Sequence, residues 1–450
     1  MSFAELGVKV PTILLPRPGV EMSKWAVIAC DQYTSEPEYW ARVSAKVGTS
    51  PSTLNLIVPE VYLEESEDEA ECRISAINTT MQCYLDDGIL QAEAKEGFIL
   101  IDRQTCAVPS RKGLVVALDL EHYDYRDGST TLIRATEGTI LDRLPPRIKV
   151  RQAASIELPH IMVLIDDPER TVIEPLFDRE LELAYDFELM ENGGHLRGWR
   201  VNDEASLAQV EAALVQLADP IRFAEKYQVA GQAPVLFAMG DGNHSFATAK
   251  AIWEKLKAES VDASAIMDHP ARFALVELVN VHDPGLEFEA IHRVIFNTEF
   301  ATMEAQAKEF YRAQGATFFC ERCFDFADIA ATAKRLKQAG RHLIPYVSGT
   351  EYGIFVIDQP PLHLVVATLQ AFLDHFLTQN ATARIDYIHG EGTVSALGGK
   401  HGNIGFYLPA ISKSDFFTTI ILDGALPRKT FSMGDADEKR FYLECRKIVR

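Results

Sequence analysis

Short apolar runs alternate with stretches of helical periodicity along the whole chain. Trp25–Cys30 (WAVIAC) reads as a buried strand and Glu36–Val47 as the helix after it. In Ser66–Asp86, Ile74, Ile77, Met81 and Leu85 recur at i, i+3, i+7 and i+11, which predicts a long helix with one apolar face. Gly97–Ile101 and Gly113–Leu118 flank a polar turn and predict an antiparallel pair. A strand over Ile161–Ile165 follows, then helical patterns near Glu174–Glu188 and Leu207–Tyr227. Pro234–Met239 reads as a strand, and Phe246–Leu256 as a helix with Phe246, Ala249, Ile252, Trp253 and Leu256 on one stripe. The polar AESVDASAIMD, ending at His269–Pro270, marks a boundary before the long strand Ala271–Val281. The expectation is therefore an α+β (mixed α/β) fold of mixed sheets with flanking helices, divided into residues 1–258 and a C-terminal α/β region, 268–450. No repeat or low-complexity segment interrupts it.

Composition narrows the class without naming a function. Of 450 residues, 47% are hydrophobic, enough to build real cores. The formal charge of −21 argues against nucleic acid or an anionic membrane as partner. The N-terminus lacks a basic region followed by an apolar one, so it does not read as a signal peptide, and no apolar run approaches the ~20 residues of a membrane span. Seven cysteines, mostly solitary, fit cytoplasmic usage rather than a disulfide scaffold.

The sharpest local feature is Gly240-Asp241-Gly242-Asn243-His244-Ser245, between a predicted strand and a predicted helix. Glycines let consecutive N–H groups converge, and a helix N-terminus adds unpaired N–H groups and positive dipole, so the segment is a device for anions. Ser245 or Asn243 would cap the helix or bond a ligand oxygen, and His244 would donate to phosphate or shuttle a proton. An ordinary, well-capped strand-to-helix turn uses the same residues. It is neither a Walker loop nor a three-glycine dinucleotide turn.

A second concentration is Arg134-x-x-Glu137-x-Thr139, followed by Asp142, Arg143, Arg147 and Arg151. Arg134 and Arg143 would clamp a phosphate or carboxylate, with Glu137 as a base or metal ligand; a solvated face of intrachain ion pairs is the alternative. Asp31, just past the first strand, or Glu36 would hold Mg²⁺ or accept a proton from a substrate hydroxyl; the plainer reading has Asp31 cap the next helix. Cys320-x-x-Cys323 lacks a second ligand pair, so no metal site is assigned. Lone histidines such as His160, His195 and His292 read as satisfied core or surface residues. Gly398–Gly402 reads as a loop presenting Lys400 or as a plain connection, and Ser432–Asp435 as a turn.

The turn resembles the Asp-Gly-His-His-Arg turn of the bacterial family called domain of unknown function 1015, itself similar to the ParB/sulfiredoxin superfamily. ACDQYTSEPEYW (Ala29–Trp40), RATEGTILDR (Arg134–Arg143), ARFALVELVNVHDPGLEFEAIHRVIF and the terminal DEKRFYLE (Asp437–Glu444) carry the resemblance across most of the chain. It implies a strand-turn-helix that grips nucleotide phosphates. Asp241, Gly242 and His244 match; Asn243 replaces a common His, and Ser245 a common Arg. Losing that Arg removes a bidentate phosphate donor unless Lys250 or an arginine from elsewhere supplies the charge. The resemblance implies a kinase-like, Mg²⁺-dependent transferase using ATP or ADP on a small anionic or hydroxylated metabolite such as a free amino acid. Its alternative is a nucleotide- or metabolite-binding regulator without turnover.

Overall fold

The computed structural model describes residues 1–63, 65–126, 128–138, 144–427 and 429–450. Two compact units divide the chain: Met1–Glu287 together with Met433–Arg450, and Phe288–Ser432. The boundary anticipated after residue 258 therefore falls inside the first unit. The reason is physical: the strand just beyond that polar stretch pairs at the centre of the first unit's sheet.

That sheet contains β1 (Phe98–Gln104), β2 (Arg111–Asp119), β3 (Tyr123–Asp124), β4 (Ile133–Arg134), β5 (Met162–Ile165), β6 (Glu182–Glu188), β7 (His195–Val201), β8 (Phe237–Asp241) and β9 (Phe273–Asn280). Their order is β6-β7-β1-β2-β9-β5-β8-β4-β3, with Val8–Lys9 added beside β2. The β5–β9, β8–β4 and β4–β3 pairings are parallel and the others antiparallel, so the sheet is mixed. The β1–β2 pair expected from alternation is present, with Ile99 opposite Val115.

Period-two alternation explains how one sheet serves two cores. Ile99, Ile101, Val115 and Ala117 face a core with Trp25, Trp40 and Met81. Leu100, Leu114, Val116 and Leu118 face the other way, toward Phe237, Phe246 and Trp253. The helix Glu67–Asp86 forms as its periodicity requires, opened by a capping box between Ser66 and Glu69. One element was misread: Glu174–Glu188, anticipated as helical, is a short 3₁₀ turn followed by β6. β6 pairs with β7 over Glu182–Glu188, and this long-range pairing overrides local pattern.

The last residues, 433–450, return to the first unit. Phe441–Tyr442 pairs with Val27–Ile28, and Arg446–Lys447 with Ile156–Glu157. Buried Arg440 is the pin. It pairs with Glu277 of β9 and with Glu444 at 2.5 Å, and donates to the Pro159 carbonyl at 3.0 Å.

The second unit has its own sheet: β10 (Phe288–Phe296), β11 (Thr317–Cys323), β12 (Arg341–Ser348), β13 (Glu351–Asp358), β14 (Arg384–His389) and β15 (Asn403–Phe406), in the order β11-β13-β12-β15-β10-β14. Its helices pack Phe372, Leu373 and Phe376 against Tyr346 and Phe355. Cys320 and Cys323 both lie on β11, and three residues apart on a strand point to opposite faces. The Gly398–Gly402 segment joins the helix Glu391–Gly398 to β15. Asp435, within the turn read at 432–435, makes a capping box with Glu438. Among the described residues, no helix is long and apolar enough to cross a membrane.

Candidate functional site

The Asp241–Ser245 turn links β8 to the helix Asn243–Glu259 as the sequence predicts. Gly242 is the N-cap at φ +79°, and a Cβ there would meet the Ile161 Cα at 3.0 Å. Asp241 accepts from the Gly242 N–H at 2.8 Å, which fixes its carboxylate at the turn.

Neither expected capping side chain caps. The helix receives no side-chain cap at all. Asn243 is buried and spent on Thr136: it accepts from the Thr136 N–H at 3.2 Å and donates to Thr136 Oγ1 at 3.2 Å. Thr136 in turn donates to the Met239 carbonyl at 2.7 Å. This lock carries Glu137, the next residue, to the side of the turn. Ser245 Oγ instead meets His160 Nε2 at 3.0 Å, and His244 stands half-buried on the same first turn.

Arg134 does not join them. It lies on β4, parallel to β8, and its guanidinium donates to the carbonyls of Thr131 (3.2 Å) and Ala233 (3.0 Å), toward the opposite end of β8 from Asp241. These guanidinium donors are spent on backbone carbonyls away from the turn. Arg143, with Thr139 and Asp142, lies outside the described residues. Lys250 is also directed elsewhere, to the Leu120 carbonyl at 2.9 Å and to Glu254 at 2.7 Å.

The cation at the turn comes from the returning C-terminal segment. Lys439 Nζ stands 3.4 Å from Asp241 Oδ2, with its side chain only 15% exposed. Asp31 belongs to the same group. Burial would raise its carboxyl, but the charges of His160 and Lys439 and the amide of Gln32 outweigh burial and hold it below the ordinary range. Two strand pairings account for this convergence: Val27–Ile28 with Phe441–Tyr442 sets Asp31 near Lys439, and Ile156–Glu157 with Arg446–Lys447 sets His160 beside both.

His160 is the centre of a hydrogen-bonded chain. Its Nδ1 meets Tyr442 Oη at 2.8 Å, and Tyr442 donates to Cys30 Sγ at 3.1 Å. Burial pushes the Cys30 thiol up to about 12 and the Tyr442 phenol well above its ordinary value, so both stay protonated. Nearby, Glu60 pairs with Arg147; burial outweighs that guanidinium and leaves the Glu60 carboxyl raised. Arg151 is paired with Glu157 at 2.5 Å.

The arrangement gathers a helix N-terminus, two carboxylates, an ammonium and an imidazole around one turn. Such a set can seat an anion and hold a hydroxyl for proton transfer. Sequence reasoning missed His160, Lys439 and Tyr442 as site residues. The usable signal was the Asp437–Glu444 stretch, which holds two of them; His160 had none beyond preceding a strand.

The sequence matches a family model described as protein of unknown function (DUF1015) over residues 14–376. No curated protein matches. Among solved structures, a free serine kinase in complex with AMP is similar over 74% of this chain and 92% of its own, at 10% identity and TM-score 0.38. A mutant free serine kinase in complex with ADP gives the same coverage and identity with TM-score 0.39. SbnI with a C-terminal truncation, from Staphylococcus aureus, is similar over 71% of this chain and 82% of its own, at 9% identity and TM-score 0.34.

Proposed function

The chain belongs to the DUF1015 family of proteins of unknown function, and we propose that it is a kinase-like, nucleotide-dependent phosphotransferase acting on a small hydroxylated metabolite. The observation that carries this reading is the convergence of Asp31, Asp241, His160 and Lys439 on the uncapped head of the helix Asn243–Glu259. Nucleotide phosphates would lie against the first-turn N–H groups, with Lys439 supplying the charge that an arginine at Ser245 would otherwise give.

Asp31, ionised and close to Lys439, is the group to orient the acceptor hydroxyl. The hydroxyl oxygen bonds to the terminal phosphorus, the bond from that phosphorus to its bridging oxygen breaks, and the nucleotide leaves one phosphate shorter. The hydroxyl proton passes to Asp31. Helix N-terminus and ammonium stabilise the charge spread over the transferring group.

ATP or ADP with Mg²⁺ fits the donor set in one way. No group of three or more His, Cys, Asp or Glu side chains gathers around a common point among the described residues, so a Mg²⁺ would arrive on phosphate oxygens. Asp31 and Asp241 would then complete its oxygen shell. Bound so, it would neutralise phosphate charge.

Mass spectrometry of reactions holding ATP or ADP, Mg²⁺ and a panel of small hydroxylated metabolites tests the proposal. A phosphorylated product that disappears in Asp31→Asn is the expected result; no product from any member of the panel refutes it.

A second reading has one observation in its favour. Asn243 and Ser245 are both engaged within the protein, and the turn holds no arginine, which suits a nucleotide- or metabolite-binding regulator without turnover. Ligand-dependent thermal stabilisation without product supports it; turnover lost in Asp241→Ala rules it out.

A further inference from the structure

Beside Ser245 lies a cavity of about 150 Å³ with two kinds of wall. Leu56, Ile57, Met81, Ala154, Ile156 and Leu275 make most of it apolar. Cys30, His160, Ser245 and Tyr442, the hydrogen-bonded chain already described, form a polar end.

Directions within that chain follow from counting hydrogens. Tyr442 has one, and it goes to Cys30 Sγ, so the phenol oxygen accepts from His160 Nδ1–H. Its other nitrogen, Nε2, meets Ser245 Oγ at 3.0 Å. The Ser245 oxygen keeps its own lone pairs for a hydroxyl in the cavity. Glu60, Arg147, Arg151 and Glu157 also line the space, but Glu60 is paired with Arg147 and Glu157 with Arg151, so a charged ligand head would have to break a pair.

We infer that this cavity is the acceptor pocket and that the acceptor is a small neutral alcohol with a compact apolar body. A cavity of this volume with apolar walls takes up a benzene-sized group. The body would bury against Met81, Ala154 and Leu275, while the hydroxyl lies at the Ser245–His160 end. Transfer to it follows the balance given above, the proton passing to Asp31, which does not line the cavity but lies within electrostatic reach of His160 at its polar end. The inference rests on the phosphotransferase reading for its chemistry but not for its binding. A free, zwitterionic amino acid with a polar side chain leaves the apolar wall unfilled and is the poorer ligand.

Calorimetric and ligand-observed NMR titrations of the full chain with benzyl alcohol, cyclohexanol, glycerol and free serine test this. Benzyl alcohol and cyclohexanol are expected to bind at least about tenfold more tightly than glycerol or serine. Ala154→Leu, which fills the cavity, is expected to weaken benzyl alcohol about tenfold. Met81→Ala, which enlarges it, is expected to shift preference toward 2-naphthylmethanol. Equal binding of all four probes, or benzyl alcohol binding that neither substitution moves, overturns the inference. Preference for the apolar alcohols in a protein that binds no nucleotide supports the pocket and removes the transferase reading. Nucleotide binding without that preference removes the pocket alone.

Discussion

At the scale of single residues, two side chains divide the proposed work. Lys439 faces Asp241 from a segment far along the chain, and an ammonium there offers point charge rather than a fork. Lys439→Gln is expected to weaken ATP or ADP binding by about tenfold or more, and Lys439→Arg to retain most of it. Titration calorimetry reads both. In the proposed transfer Asp31 takes the hydroxyl proton, so Asp31→Asn is expected to lower kcat by about a hundredfold. Its folded pKa is lowered, so the carboxylate stays ionised as pH falls until below the ordinary Asp value of about 3.9. The kcat–pH profile should therefore show no Asp31 limb between pH 5 and 8 (approximate bounds). Of these residues, Asp31 and Asp241 were legible in the sequence because each ends a recognisable apolar run. Lys439 and His160 were not, since neither has a local partner: each gains its role from a strand pairing across hundreds of positions.

At the scale of elements, the strand-turn-helix was legible because glycine needs no tertiary context to mark a tight turn. What the sequence could not disclose was the use of Asn243, whose partner Thr136 lies 107 positions away. Nor could it disclose that Arg134 sits at the far end of β8, because parallel pairing of β4 with β8 sets that register. Gly242 holds a left-handed conformation against Ile161. Gly242→Ala is expected to destabilise the protein by about 1–2 kcal/mol and to displace the first-turn N–H groups. Chemical denaturation measures the first effect and nucleotide titration the second. β6 is the lesson in the other direction: its seven residues carry a mixed pattern, and only pairing with β7 decides them.

At the scale of the whole molecule, the chain is acidic, with a formal charge of −21. Lys439 stands at the turn beside Asp241, while Arg147 and Arg151 at the cavity are each paired with a carboxylate, Glu60 and Glu157. The C-terminal return is held by Arg440 against Glu277 and Glu444, all buried. Burial would raise the Glu277 carboxyl, but Arg440 and Arg111 prevail and its folded pKa lies below the unfolded one. Its stabilisation is therefore complete above the unfolded value, about 4.3, and is lost as pH falls through the lower folded value. Glu277→Gln is expected to cost about 3 kcal/mol at pH 7 and to flatten the loss of stability on acidification, as read by urea unfolding across pH. A wild-type-like acid slope in this variant would remove Glu277 from the account.

The central claim is that nucleotide phosphates seat at the head of the helix Asn243–Glu259, and calorimetric titration of the full chain with ATP, ADP, CTP and GTP in Mg²⁺ tests it most directly. Saturable binding of at least one nucleotide, weakened about tenfold by Lys439→Gln and unchanged by Arg134→Lys, is the predicted result. Binding of none of the four, or binding that depends on Arg134 and ignores Lys439, would contradict it.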